Sequence, residues 1–365
     1  MIGDRDVLVV RDDRMLEHKP QASDPYLPGR LEKRVREILS GLQVQWNYPE
    51  HPGRLTAIND ILERSPIPGV RFQQGRPATE DELARVHTTS YLREINALRG
   101  KHAWVDVDTT AVSPGSLEAA EVAAGSAVMA VEAVMRGDAE TAFALCRPPG
   151  HHAEPARARG FCLFNNVAVA AAHALEELGA ERVLIVDWDA HHGNGTQDIF
   201  WASPHVLFFD THRGSPFYPG SGLLDEVGAG LGEGYTVNVP LPAGAGDHAV
   251  IKAFEEILVP AADWFAPDLV LVSAGFDPHR LDLCLNMSHE GLARLATITR
   301  EIAERHCQGR LALVLEGGYH LDSLSNGVHT VLRTLAGEDI PVPPEPGIEE
   351  VAEAATFHRN AFAAE

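Results

Sequence analysis

Two carboxylates and two imidazoles crowd into Asp187-Trp188-Asp189-Ala190-His191-His192-Gly193-Asn194-Gly195, directly after the apolar run Val183-Leu184-Ile185-Val186. A short β-branched run of this kind reads as a buried parallel strand. Open α/β sheets bind ligands beyond the carboxyl ends of their strands. Asp189 and His191 lie two apart, so strand alternation predicts that their side chains point the same way. Carboxylate oxygen beside imidazole nitrogen suits zinc or another divalent metal. Taken alone, the pair is equally an N-cap aspartate followed by ordinary loop residues. Matching chemistry at other predicted strand ends favours the metal.

Those ends carry His151 and His152 after Arg147-Pro148-Pro149-Gly150, Asp210 before Thr211-His212, Asp277 after Ser273-Ala274-Gly275-Phe276, and Tyr319 after Glu316-Gly317-Gly318. In a parallel sheet all of them share one rim. Asp189, His191 and Asp277 supply three protein ligands and leave a fourth position for water, the pattern of a catalytic zinc. With two carboxylates on the ion, its water is acidified less than in a three-histidine site. A nearby base and a separate donor to an oxyanion are then required. The paired histidines, held on a stiff turn, and Tyr319 are residues of those types. On these grounds the chemistry is metal-assisted hydrolysis of a carbonyl.

Positioning these groups calls for strands at residues 7–10, 141–145, 183–186, 205–209, 235–240, 269–273 and 311–315. Helices are expected at 31–42, 55–64, 80–98, 114–135, from an opening at 160–166 to Gly179, and over 247–265, with His87 structural. Residues 105–110 read as a loop. Residues 16–53 form a long irregular insertion, functional or part of an assembly contact. The segment from Gly337 to Glu365 reads as a packed tail or partner arm. Arg54, after Tyr48-Pro49-Glu50-His51-Pro52-Gly53, is an ordinary surface residue or a buried guide for anions.

The 365 residues lack a linker-like block or repeat, so one domain spanning 1–365 is expected. A formal charge of −22 repels phosphate backbones and anionic membranes and attracts cations, or simply marks an acidic soluble protein. Neither direct nucleic-acid binding nor membrane attachment is expected. The four cysteines form no CxxC pair, which fits a reducing cytoplasm, and Met1-Ile2-Gly3-Asp4-Arg5-Asp6 does not open like a signal peptide.

Pro-Pro-Gly-His-His, Gly-Phe-Cys-Leu-Phe-Asn-Asn (160–166), Asp-Trp-Asp-Ala-His-His-Gly-Asn-Gly-Thr and Ser-Ala-Gly-Phe-Asp together resemble the histone deacetylase family, in its class II-like or bacterial amidohydrolase form, related to acetylpolyamine amidohydrolases. The resemblance runs from Asp13-Arg14-Met15 to Glu316-Gly317-Gly318-Tyr319. It implies an arginase-like three-layer α/β/α sandwich around a mostly parallel sheet. It implies one zinc on Asp189, His191 and Asp277, with Tyr319 polarising the amide carbonyl. His152 would be the general base and later the acid, facing Asn194. His151, oriented by Asp187, would add electrostatic support. Potassium is implied near Asp187, Asp189, His191, Asp210 and Thr211, and at a second site around Phe200, Ser203, Val206 and Tyr235. Phe161 and Tyr218 match the aromatic walls of an acyl-lysine tunnel, Gly160 and Gly318 its backbone lining, and Arg54 the arginine of a product channel. The substrate clamp falls to Asp108 or Asp106. Substrates implied are acetyl-lysine peptides or proteins and acetylated polyamines, and a homo-oligomer, dimer or tetramer, is expected.

The sequence departs from the family pattern where Asp210 replaces the usual Ser and where Asp277-Pro278-His279-Arg280-Leu281-Asp282-Leu283-Cys284 lacks the common Asp-Pro-Leu-Gly. Two other readings stay open at this point. One is a binuclear manganese ureohydrolase of the arginase type; the other is a non-catalytic acyl-lysine binding module.

Overall fold

A computed structural model describes residues 5–20, 48–106, 109–283, 285–342 and 351–362. The expected helix at 31–42 and most of the 16–53 insertion fall outside these residues, as do Asp108 and Cys284. The frame is an eight-stranded sheet of β1 (Val7–Arg11), β2 (Val70–Gln74), β5 (Thr141–Ala144), β6 (Val183–Asp187), β7 (Val206–Arg213), β8 (Thr236–Leu241), β9 (Leu269–Ala274) and β10 (Leu311–Leu315). Its order is β2-β1-β5-β10-β9-β6-β7-β8, and every neighbouring pair is parallel. A separate antiparallel pair joins β3 (Ala103–Trp104) to β4 (Ala111–Val112).

The sequences of β5, β6, β9 and β10 explain their place in the middle. Every residue in them is buried, so both faces of each strand are covered, as the unbroken apolar runs require. One group of helices, Ser116–Arg136 and Asn166–Glu177, packs together against this region. A second group joins Leu321–Leu335 to His289–Cys307 and Gly53–Arg64. Ser116–Arg136 also carries the chain segment before Glu80: Gly125 admits no side chain, because an added Cβ would lie 2.1 Å from the Arg76 carbonyl. Parallel pairing throughout puts all strand C-termini on one edge.

Several expectations change. The 80–98 helix is two, Glu80–Ala84 and Thr89–Asn96, because Thr88 caps the second through Tyr91 N. His87, in the break, accepts from Asn165 N at 3.0 Å through Nε2 while its Nδ1 lies 3.1 Å from the Glu154 carbonyl, a structural role as expected. The 247–265 helix is interrupted by a π turn at Phe254–Leu258. Strand β7 runs past residue 209 to Arg213, because β8 continues the pairing to Arg213↔Leu241 after β6 has ended at Asp187↔Asp210. Asp210 is thus inside a strand. Strand β2 and the β3–β4 pair were not anticipated: β2 is a polar, largely exposed edge, and the pair is two residues long on each side. Of the C-terminal tail, Ala352–Phe362 is a helix packed on the π turn, with His358 Nε2 2.9 Å from the Asn238 carbonyl.

Candidate active site

Four of the strand ends meet through backbone anchors. Glu316, following β10, accepts from Gly150 N at 2.6 Å and His151 N at 3.1 Å, pinning the Pro-Pro-Gly-His-His turn beside the Gly317-Gly318-Tyr319 loop. Gly317 N donates to Asp189 Oδ2 at 2.8 Å, and Ala190 N to Asp277 Oδ1 at 2.9 Å. Because β6 ends at Asp187, Asp189 and His191 are aligned by this loop and not by strand alternation. His191 Nδ1 sits 3.0 Å from both Asp189 Oδ1 and Asp277 Oδ2.

The three groups fit a divalent metal. Each offers one ligand atom, and these atoms lie within 4.8 Å of one another; no other such cluster occurs among the described residues. Asp277 Oδ2 is buried, and its contact with His191 Nδ1 is an ion pair without hydrogen-bond geometry. Burial, then the charge of Asp189, pushes the Asp277 carboxyl up to about 6. His191 is raised to about 10 because Asp277 and Asp189 outweigh its burial. Two buried carboxylates against one imidazole need further positive charge. Glycines make the room: a Cβ on Gly317 would lie 2.5 Å from Asp189 Oδ2 and Asp277 Oδ2.

The paired histidines are electrostatic opposites. His151 Nδ1 is 2.9 Å from Asp187 Oδ2, and although burial opposes its charge, Asp187 and Asp189 raise it well above the usual range. His152 Nδ1 is 2.7 Å from Asn194 Oδ1; burial, then His151 and His191, holds it well below. Their surroundings thus favour the charged form of one ring and the neutral, basic form of the other.

Tyr319 is held from both sides of its backbone. Its N–H and that of His320 donate to Asp282 Oδ2 at 2.6 and 2.8 Å. Arg54 donates to the Gly318 carbonyl at 2.6 Å and to the Glu316 carbonyl, with its guanidinium 5.2 Å from the Tyr319 ring centre. Burial first, then Asp277 and Asp189, raises the phenol well above its ordinary value, so it remains a donor. Arg54 is fully buried and not an ordinary surface residue, and it shares Glu50 with Arg147 at 3.1 and 2.7 Å.

Aromatic rings surround His152 and His191. Tyr218 meets His152 edge-on at 5.2 Å, and Phe217 stacks on His191 at 4.9 Å. Phe161 lies 5.8 Å from Tyr319 in a left-handed conformation (φ 69°), uncommon for a bulky residue. Gly160 is obligatory, since a Cβ there would fall 2.1 Å from His152 Cδ2. Of the two clamp candidates, Asp106 is occupied in its own loop, accepting from Thr109 N, Thr110 N and Thr110 Oγ1 at 2.8, 2.7 and 2.6 Å.

Beside this centre, Asp210 pairs in register with Asp187, accepts from Gly193 N at 2.8 Å and meets His212 Nδ1 at 2.7 Å. Thr211 Oγ1 is buried and unpartnered. Phe200, Ser203, Val206 and Tyr235 gather around the start of β7: Ser203 N donates to the Phe200 carbonyl at 2.9 Å, and Phe208 N to the Tyr235 carbonyl at 2.9 Å.

Sequence reasoning missed Glu50, Arg147, Glu154, Phe217, Asp282 and Glu316 as parts of the site. Two had a visible signal: Glu50 stands four residues before Arg54, and Glu154 directly follows His-His-Ala. Asp282 and Glu316 act through backbone amides distant in sequence, which spacing does not reveal.

A family profile for the histone deacetylase domain matches residues 48–335. The chain is 39% identical over 308 residues to a probable deacetylase of Archaeoglobus fulgidus, covering 82% of this chain and 85% of that one. It is 38% identical over 275 residues to a histone deacetylase-like amidohydrolase of Pseudomonas aeruginosa, covering 74% and 72%. A human polyamine deacetylase is 39% identical over 335 residues, which span 85% of this chain and 48% of that protein. Among solved structures, the HDA15 HD domain superposes with a TM-score of 0.84 at 36% identity, covering 98% of this chain and 94% of that one.

Proposed function

The chain belongs to the histone deacetylase family, and on that footing we propose that it is a zinc-dependent amidohydrolase that frees a lysine-like amine or polyamine from its acetyl group. Hydrolysis of an acetylated amine is the activity of its relatives and displaces the manganese ureohydrolase as a reading. One observation carries the proposal furthest: Asp189, His191 and Asp277 converge beside a neutral His152 and a protonated Tyr319. A retained fold used only for binding would have no need of that pairing.

Bound to the three ligands, zinc would polarise the amide carbonyl and ease deprotonation of water. His152 then takes the proton of the attacking water on its bare Nε2 and returns it to the departing amine. His151, charged and tied to Asp187, stabilises negative charge growing beside it. Tyr319 donates its phenol hydrogen to the developing oxyanion. Phe161 and Tyr218 would flank the aliphatic arm of the substrate, with the Gly160 and Gly318 backbone lining it. Asp108 would be the acidic clamp, since Asp106 is engaged. Arg54, held with Arg147 on the shared Glu50, would guide the carboxylate product. Potassium would sit near Asp187, Asp189, His191, Asp210 and Thr211, where paired aspartates and an orphaned hydroxyl call for a cation, and a second near Phe200, Ser203, Val206 and Tyr235. We read residues 1–365 as one catalytic domain of an oligomer that works in the cytoplasm. No helix of the described residues is long and apolar enough to cross a membrane.

The test is elemental analysis of the purified protein with turnover on acetyl-lysine peptides and acetylated polyamines. One zinc per chain and release of acetate are expected; two manganese per chain, or no turnover on any acetylated amine, overturns the reading. Tyr319→Phe should keep its zinc and lose about 100- to 1,000-fold in kcat.

A further inference from the structure

We propose that Glu154 is a positioning residue that sets the tautomer of His152 by fixing which way the Asn194 amide points. The inference rests on the reading of His152 as the general base. An asparagine offers His152 either an oxygen or an NH2 group, and only the oxygen makes Nδ1 carry the proton and leaves Nε2 bare. Asn194 Nδ2 faces Glu154 Oε1 at 2.9 Å. Among the described residues, its other hydrogen-bond contact is the His152 carbonyl at 3.4 Å, a marginal one. A carboxylate cannot donate, so it accepts the amide hydrogen and turns Oδ1 towards His152 Nδ1 at 2.7 Å. A Glu–Asn pair thereby does what a single carboxylate opposite His152 would do, while keeping the formal charge one residue further out.

Glu154 is itself immobilised. Its backbone N–H donates to the Arg157 carbonyl at 2.9 Å, and its own carbonyl lies 3.1 Å from His87 Nδ1. Arg159 Nη1 donates to the same Oε1 at 3.1 Å, and its guanidinium lies 5.7 Å from the centre of the Tyr218 ring. The backbone ties do not use the carboxylate, so Glu154→Ala keeps them and should fold.

The test has two readouts. Nitrogen-15 spectra of histidine in the metal-free protein report the tautomer directly: the wild type should hold its proton on Nδ1 of His152, and Glu154→Ala should mix the two forms. An unchanged tautomer in Glu154→Ala overturns the proposal, whatever the enzyme's substrate. On an acetylated substrate, Glu154→Ala should lower kcat about 10- to 100-fold with KM within about twofold, and Glu154→Gln, which keeps an acceptor but also brings a donor, should fall between. A double-mutant cycle adds a sign. Asn194→Asp alone puts two carboxylates in contact and should reduce kcat. In the Glu154→Ala background it needs no orienting partner and should restore kcat. Additive effects overturn the proposal. A wild type that turns over no acetylated amine overturns the functional reading instead and leaves the tautomer result standing.

Discussion

His151 and His152 are neighbours in the chain yet are pushed in opposite directions: at His151 the carboxylates of Asp187 and Asp189 outweigh burial, whereas at His152 burial, then the positive charges of His151 and His191, prevails. The same logic governs the three groups proposed to hold zinc. With Asp189 and Asp277 beside it, His191 is raised to about 10, so near neutral pH the empty site holds a proton there. A zinc ion binding there would have to displace it. About one proton should leave per zinc bound at pH 7, and affinity should weaken as pH falls, steepening below about 6 where Asp277 also protonates. Calorimetry in buffers of different ionisation enthalpy measures this; binding without proton release would remove His191 from the ligand set. Asp277→Ala should lose tightly bound zinc by elemental analysis, and full occupancy would exclude it as a ligand.

At the scale of elements, the loops that carry chemistry are cross-tied by buried ions. Glu50 joins Arg54 on the helix Gly53–Arg64 to Arg147 after β5, and Arg54 continues to the loop after β10. Burial alone would raise the Glu50 carboxyl, but Arg147, His18 and Arg54 hold it well below its ordinary value. A depressed folded pKa contributes stability above the unfolded value, roughly 4.3, and loses it as pH falls through the folded one. Glu50→Gln leaves two buried guanidiniums short of an anion and should destabilise by about 3–5 kcal/mol at pH 7. Denaturant titrations should show the gap to wild type narrowing below about pH 4. An equal gap at pH 7 and pH 3 would contradict the assignment.

For the whole molecule, the formal charge of −22 sets a long-range field that favours cationic substrates. Raising ionic strength from about 10 mM to 0.15 M shortens the Debye length from roughly 30 to 8 Å. KM for an acetylated polyamine should therefore rise severalfold, while KM for an uncharged acetyl-lysine derivative stays nearly constant. Equal response of the two substrates would show that the surface charge has no part in substrate choice.

Much of this was legible in the residues alone. Apolar β-branched runs announce buried strands because only those fill a sheet covered on both faces, and a parallel sheet sends its carboxyl ends to one edge. Asp189, His191, Asp277, the paired histidines and Tyr319 follow from that rule without coordinates. What the sequence could not disclose are contacts between groups whose separation in the chain says nothing of their separation in space. Asp282 holds the Tyr319 backbone from 37 residues away, and Glu316 holds His151 from 165. Nor does spacing reveal orientation: Asp189 and His191 are aligned by a loop after the strand has ended, β7 outruns its expected end because β8 extends the pairing, and the Asn194 amide takes its direction from Glu154. Composition and periodicity decide which residues reach the carboxyl edge; only tertiary packing decides which atom of each one faces the next.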